Sequence, residues 1–596
     1  MDERLLAAPI LIPLATAFFV PVVRRISHSV RALFCIIAMI LTLVCLLTLA
    51  KPVFSGEILV YWMGGWEPRD GLAIGISLVA DAWGLLIALV VAVIGLMSLL
   101  YSTVYMQEQS GRGSYYVLVM LLLTGLIGFC LSGDLFNQFV WLEVFSFAGF
   151  ALTGFHIDDR QAVEAAFKYL VTNSVAAFFI AIGLTLLYMQ TGALNLAQIA
   201  AAFTPTPAGL VALGLLLGGY ATKAALVPWH FWLPDAHAVA PAPISALFSG
   251  ALIKVGIYAI ARSIFTLVPL EPGGVVQSGL LLTAAATMLL GGIQMVQQQS
   301  IKRILAFSSV SQMGYVVMGL ALGTPLGVSA AAFHILNHAL LKSALFMSAG
   351  IVTWRTGIHD LKEGGKLARR MPITFLLMVI AGLGLSGQPF LSGFVSKTML
   401  EEAAFATRAD WIGWVAVLSS LLTFAGIGRL IWGVFGPNRQ IQQRPVREAP
   451  LLALLPAILL VSGSLLAGLH PGWVNEHLTW PAAAALYGRR AYIREVIHIE
   501  TTSVLDTAHL EPHEVPHPLD WHHWPIPGVI LIGGILLTAS LLRPERLQNR
   551  RELRPVRWLA HMSRTWHSGL IMDYVMWNAL GTALTAFITV LAGRGR

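Results

Sequence analysis

Apolar stretches of membrane-spanning length follow one another along almost the whole chain, and nothing else in the sequence constrains its fold as strongly. A helix needs ~20 apolar residues to cross the hydrocarbon core of a bilayer. That ruler gives about 16 candidate spans, near residues 5–23, 30–50, 83–103, 115–132, 135–155, 163–188, 208–230, 241–264, 276–296, 303–323, 327–353, 372–400, 411–435, 450–470, 525–542 and 569–592. Only 11% of the residues are charged, against roughly 25% in soluble domains, so the expected fold class is an all-α polytopic membrane protein. The opening stretch, with Asp2, Glu3 and Arg4 ahead of an apolar run containing Pro9 and Pro13, fits a first span better than a cleaved signal peptide. Residues 52–80, with Tyr61, Trp62, Gly64, Gly65 and Trp66, are too broken to span and are expected to form an ordered external loop with its aromatics at the interface.

Assigning loops alternately to two sides places about 22 basic residues on one side and about 9 on the other, the asymmetry expected of cytoplasmic loops. The rich side holds Arg24, Arg25 and Arg31, then Lys302 and Arg303, then Lys362, Lys366, Arg369 and Arg370, and finally the run from Arg543 to Arg564. The N-terminus is then external, and a single miscounted span would have inverted the later clusters. The formal charge of +8 is explained by these loops and calls for no nucleic acid.

Several chemistries lack any signal. Cys35, Cys45 and Cys130 sit singly in apolar runs, which excludes a sequence-evident iron–sulfur cluster, zinc site or disulfide framework. No dinucleotide or P-loop motif is present. No cofactor and no metal is expected, and no redox or hydrolytic site belongs to the chain itself. Residues 471–524 turn polar, with Arg489, Arg490, Arg494 and Glu495 in a candidate amphipathic helix and His509, His513, His517, His522 and His523 after it. Interleaved prolines favour a solvated external loop over a metal site.

The charges inside the spans carry the functional information, because one at the bilayer centre costs ~2.5–3.5 kcal/mol even on the lenient insertion scale. Glu143, Lys168, Lys223, Lys254, Lys342 and Lys397 all interrupt apolar sequence. His334, His338 and Lys342 recur at four-residue spacing, which puts three titratable groups on one helix face within ~12 Å, the spacing of a relay. Arg262 and Arg429 lie near span ends, where the guanidinium can snorkel to the interface. Glu164 and Lys168 are spaced as an intrahelical pair, with Lys168 a modulator of Glu143. Two segments are broken mid-span, one by Pro228, Pro234, Pro241 and Pro243 after Lys223, the other by Gly384, Gly387, Pro389 and Gly393 before Lys397. Such breaks are tolerated where they line a polar cavity, and paired breaks point to an inverted-repeat transporter.

The run from Lys223 to Tyr258, with Pro228, Pro234-Asp235-Ala-His237, Pro241, Ser245, Gly250 and Lys254, resembles the signature of the antiporter-like subunits shared by Mrp cation/proton antiporters, respiratory complex I and membrane-bound hydrogenases. Asp134-Leu-Phe-Asn137 with Glu143, His334 to Phe346, and Leu391-Ser-Gly-Phe-Val-Ser-Lys397 support it. The resemblance covers residues 80–435, and the stretch from Trp566 to Tyr574 is similar to the last helix of longer members. A departure is Gly387-Gln388-Pro389-Phe390, where relatives usually carry paired prolines.

The resemblance implies a core of about 14 helices with two inverted five-helix repeats, each containing a broken helix, plus about two extra C-terminal spans. The implied division is 1–114 for N-terminal spans and external loop, 115–265 and 266–436 for two proton half-channels, and 437–596 for the extension. It implies Glu143 and Lys223 as the ion pair of the first half-channel, Lys254 as connector, His334 and His338 as central relay and Lys397 as terminal proton donor. Lys168, Lys342, Asp134, Asp235 and His237 are modulators, and Pro228, Pro234, Gly387 and Pro389 mark the breaks. The implied activity is proton translocation, with translocase function only inside a complex. The implied partners are other membrane subunits of an Mrp-, complex I- or hydrogenase-like assembly, with sodium an open counter-ion, in a bacterial inner membrane. The competing readings are a solitary proton-coupled transporter of a solute and a quinone-binding oxidoreductase. His334 and His338 share one helix, which argues against a bis-histidine haem.

Overall fold

The structure is a computed structural model that describes residues 3–23, 27–107, 111–268, 270, 272–437, 446–499, 513–542 and 567–594. Arg24, Arg25, His509 and the basic run from Arg543 to Arg564 lie outside the described residues. The helices in chain order are α1 (Ala8–Val23), α2 (His28–Phe54), α3 (Ala82–Tyr105), α4 (Arg112–Leu131), α5 (Leu135–Thr153), α6 (Arg160–Thr191), α7 (Leu196–Ala202), α8 (Pro207–Lys223), α9 (Trp232–Val239), α10 (Ala242–Leu247), α11 (Ile253–Leu267) and α12 (Val275–Gln297). They continue with α13 (Ile301–Ala321), α14 (Pro325–Thr356), α15 (Pro372–Leu385), α16 (Ser392–Ala406), α17 (Asp410–Phe435), α18 (Leu451–Leu469), α19 (Pro471–Val474), α20 (Trp480–Tyr487), α21 (Arg489–Ile497), α22 (Pro525–Leu541) and α23 (Ile571–Arg594).

Among the described residues, 13 helices are long and apolar enough to cross a membrane. Three expected spans fall short of that standard, for two reasons. Residues 208–230 and 372–400 are interrupted: α8 stops at Lys223 and resumes as α9 at Trp232, and α15 stops at Leu385 and resumes as α16 at Ser392. Residues 525–542 form an unbroken but short apolar helix, α22. Local chemistry sets the boundaries of many others. Asp81 and Asp134 cap α3 and α5 by accepting from the backbone N–H of Gly84 and Asn137, and Gly192 and Gly357 close α6 and α14 in the left-handed conformation.

Within residues 52–80 lies a short hairpin, in which β1 (Leu59–Trp62) pairs antiparallel with β2 (Ser77–Ala80) in the register Leu59 to Ala80. Its aromatics divide, with Trp62 buried and Trp66 exposed.

Residues 471–497 correct the expected solvated loop, because they are helical and packed. Trp480, Ala482, Ala483 and Leu486 of α20 are buried against α3 and α14. The amphipathic helix is α21, with Tyr492, Ile493, Val496 and Ile497 inward. In the C-terminal extension, α22 lies on α17 and α23 lies on α8. The α8–α23 contact is close enough that a Cβ at Gly214 would fall 2.3 Å from the Cα of Ala586.

Candidate functional site

Lys223 ends α8, where the last carbonyls of the helix lack partners and a cation is favoured. Its ammonium donates to Ser146 Oγ of α5 at 2.7 Å and lies 5.7 Å from the Phe145 ring centroid. Glu143, one turn away on α5, keeps Oε1 buried and without a hydrogen-bond partner. No contact within 4.0 Å joins Lys223 to Glu143 among the described residues, so the implied ion pair is a serine-separated neighbourhood. Ser146 sits three residues beyond Glu143 and takes the ammonium on that helix face.

A second set of buried polar contacts starts on α11. The helix from Ala242 to Leu267 contains a π turn at Phe248–Leu252, a distortion frequent at functional sites. The Lys254 ammonium donates to the Ser249 carbonyl of that turn and meets His338 Nδ1 at 2.6 Å. Both side chains are fully buried. On α14, Lys342 donates to the Leu305 carbonyl at 2.5 Å and to Ser308 Oγ. His334 contacts Ser396 Oγ of α16 at 3.0 Å through Nδ1, and its ring stands 6.5 Å from that of His338 and 5.5 Å from that of Tyr315. Lys397 donates to Ser420 Oγ at 2.9 Å and lies 4.4 Å from the Tyr315 ring centroid. Tyr315 completes this end by donating to the Ala416 carbonyl at 2.6 Å. Lys254, His338, His334 and Lys397 thus fall along one buried polar line, with Lys342 beside it and Lys223 at the first break.

The other expected residues divide. Asp235 and Lys168 stand together at the end of the bundle where Lys302, Arg303 and His359 gather, called here the basic end. The Asp235 carboxylate receives Arg303 at 2.6 Å, Lys168 at 3.9 Å and the Tyr574 hydroxyl at 2.9 Å, with His567 Nε2 at 3.4 Å. Lys168 also pairs with Glu164 at 2.6 Å, as its spacing indicates, but it points to Asp235 rather than acting as a partner of Glu143. His237 stacks on Phe346 at 4.5 Å, with neither ring nitrogen hydrogen-bonded. Asp134 is occupied as the cap of α5 and joins no part of the line. Pro228 and Pro389 lie in the irregular turns, and Gly387 supplies φ +84° at the second break. Pro234 differs, because it falls in the first turn of α9, where a missing N–H costs nothing, so it starts a helix instead of breaking one.

A cavity of about 700 Å³ opens beside Asp235. Lys168, Glu164, Lys302, Arg303, His156 and Asp159 line it, giving a charged vestibule. Burial and the nearby Lys302 charge hold His156, in the loop between α5 and α6, below the ordinary imidazole range.

Four groups escape a reading of the sequence alone. Arg262 does not snorkel: it is buried and pairs with Asp81 at 2.6 Å, between the rings of Tyr258 and Tyr492. Glu401 is buried beside the line, four residues after Lys397, a spacing that could have revealed it. His567 and Tyr574 reach Asp235 from more than 300 residues away, and no local pattern marks such a pairing.

Residues 132–423 match the family profile described as NADH:quinone oxidoreductase/Mrp antiporter, TM, and residues 66–116 match that of the complex I chain 5 N-terminus. The N-type subunit of the NADH-quinone oxidoreductase of Desulforudis audaxviator is 36% identical over 482 residues, 77% of this chain and 94% of the relative. The D-type subunit of the Na(+)/H(+) antiporter of Bacillus subtilis is 33% identical over 495 residues, 82% of this chain and 98% of the relative. Among solved structures, a chain of the Mrp complex from Dietzia sp. DQ12-45-1b superposes with a TM-score of 0.75 at 28% identity, and one of an archaeal membrane-bound sulfane sulfur reductase with 0.76 at 31%. Each covers 83% of this chain and 100% of the neighbour.

Proposed function

The chain belongs to the NADH:quinone oxidoreductase/Mrp antiporter family, and on that premise we propose that it is the proton-translocating, antiporter-like subunit of a multisubunit membrane complex. The observation that carries the reading is the 2.6 Å contact between Lys254 and His338 within a buried polar line that ends at Lys397. Two unit charges that close repel by about 6 kcal/mol at an effective dielectric of 20. The pair therefore holds one proton in excess of its neutral forms and passes it between Nζ and Nδ1. A second cation brought to Lys223 or Lys342 drives that proton onward, through His334 toward Lys397. Glu143 modulates the charge on Lys223 through Ser146, and Asp235, Lys168 and His237 belong to the approach from the vestibule.

Residues 115–265 and 266–436 act as two half-channels, each with one broken segment, α8–α9 and α15–α16. The basic end faces the cytoplasm, the N-terminus is external and the membrane is a bacterial inner membrane, a reading supported by the loop charges. The partners are other membrane subunits, since the relatives are named as subunits of antiporter and respiratory complexes.

The test is purification of the chain from its native membrane in mild detergent, identification of every companion subunit, and reconstitution for proton uptake. Co-purifying membrane subunits and uptake lost in Lys223→Ala support the reading. Wild-type uptake in a correctly assembled Lys223→Ala complex overturns it.

A further inference from the structure

The buried line stops at Lys397 without reaching water, and the residues beyond it supply a continuation. Glu401 lies one helical turn further along α16, about 6 Å along the axis. It is 4% exposed, and its Oε1 is buried with no hydrogen-bond partner. Glu402 follows, with Oε1 at 3.0 Å from His523 Nδ1. On the far side of the same ring, Nε2 stands 3.4 Å from Asp520 Oδ2. Lys397 and Glu401 are 2% and 4% exposed, whereas the side chains of Glu402, His523 and Asp520 are 37%, 28% and 43% exposed. The series thus runs from the closed core to solvent.

Two of these groups come from outside the stretch that the family profile matches. His523 and Asp520 sit in the turn that leads into α22, whereas the profile ends at residue 423. The turn is anchored on the second broken segment, since Trp524 packs edge-on against Phe390 at 6.1 Å. Asp520 also accepts from the His522 N–H, which fixes its orientation. The C-terminal extension thereby brings an imidazole to the end of α16 and holds it between two carboxylates.

We propose that Glu401, Glu402, His523 and Asp520 form a proton port connecting Lys397 to water at the end opposite the vestibule. The inference rests on the proposed role of Lys397 as terminal proton donor. The Lys397 ammonium gives one proton to the Glu401 carboxylate, leaving a neutral amine and a neutral acid. Glu401 passes that proton to Glu402 and regains its charge. The His523 ring takes it at Nδ1 while releasing another from Nε2 to Asp520 or water, so the imidazole ends neutral in the other tautomer. The Lys397 amine is reloaded from the buried line. Among the described residues, the ionic contacts within the port are those of Glu402 and Asp520 with His523.

The test is proton translocation by the assembled complex in vesicles, read with a pH-sensitive dye. Removing a proton carrier is expected to slow transfer by about 100-fold in Glu401→Gln, with Glu401→Asp retaining a substantial part. Glu402→Gln and His523→Ala are expected to slow it by about tenfold, since water can replace a half-buried carrier in part. Modification of His523→Cys with a membrane-impermeant thiol reagent is expected to block transport from one face only, with wild type as control because Cys35 and Cys130 are buried and Cys45 is half-buried. Lys397→Ala separates the two readings. If it abolishes transport while the port variants run at wild-type rate, the port is overturned and the proposed function stands. If it transports like wild type, the role of Lys397 falls as well. Should Glu401→Gln fail to assemble, the variants at half-buried positions, Glu402→Gln and His523→Ala, decide alone, and wild-type rates in both overturn the port.

Discussion

Lys254 Nζ stands 2.6 Å from His338 Nδ1 across the contact between α11 and α14, and both side chains are fully buried. Under the proposed function this contact is a shared proton site, with each partner alternately donor and acceptor. Replacing Lys254 by Met keeps most of the volume and removes the exchange. Transport by the assembled complex is expected to fall by about 100-fold in Lys254→Met and in His338→Ala, while subunit composition on a native gel stays unchanged. Transport at wild-type rate in either variant would remove the pair from the path.

Arg262 and Asp81 form a buried pair between α11 and the start of α3. Removing one partner strands a buried charge, which costs about 3–5 kcal/mol. Arg262→Met is expected to lower thermal stability sharply, and the double variant Arg262→Met with Asp81→Asn, which removes the charge but keeps the oxygen that caps α3, to recover most of it. Melting of the purified protein in detergent checks this, and a double variant no more stable than the single one would show that the pair contributes through something other than compensation of charge.

The spans and the buried charges are legible in the sequence because each rests on a local cost. An apolar run of fixed length and a charge inside such a run both show in a short window, and that is what marks Lys223, Lys254, His334, His338, Lys342 and Lys397. The two breaks are legible for the same reason, since Pro228, Pro389 and Gly387 disrupt a helix locally. The pairing of Asp81 with Arg262 bridges 181 residues, and that of Asp235 with Tyr574 bridges 339. Periodicity cannot register such distances. Arg262 resembles a snorkelling residue in sequence because its nearness to a span end is local and its partner is not. Residues 471–487 resemble a loop by their polarity, whereas the apolar side of α20 is buried against α3 and α14.

The Asp235 cluster ties α23 to the break after α8. Tyr574 donates to the carboxylate at 2.9 Å, and a hydrogen bond to a charged group contributes roughly 1.5–3 kcal/mol. Tyr574→Phe is expected to raise hydrogen exchange across α23 while exchange in α14 stays as in wild type. Asp235→Asn is expected to act more strongly, because it leaves Arg303 and Lys168 without their shared anion. Unchanged exchange in both variants would show that α23 is held by its packing on α6, α8 and α12 without the Asp235 cluster.

Two glycines with equally close neighbours separate packing from transport. A Cβ at Gly256 would lie 2.4 Å from the backbone N of Ala224, the residue after Lys223. A Cβ at Gly214 would lie 2.3 Å from the Cα of Ala586, on the contact between α8 and α23. Both obstacles are backbone, so neither yields by a rotamer change, and overpacking of this kind costs about 1–3 kcal/mol or more. Gly256→Ala pushes the turn that aims Lys223 at Ser146, so it is expected to reduce both melting temperature and transport. Gly214→Ala strains the contact with α23 more than two helical turns from Lys223, so it is expected to lower the melting temperature while the surviving complex transports normally. Equal transport per assembled complex in the two variants would mean that the aim of Lys223 is set elsewhere than at the contact between α8 and α11.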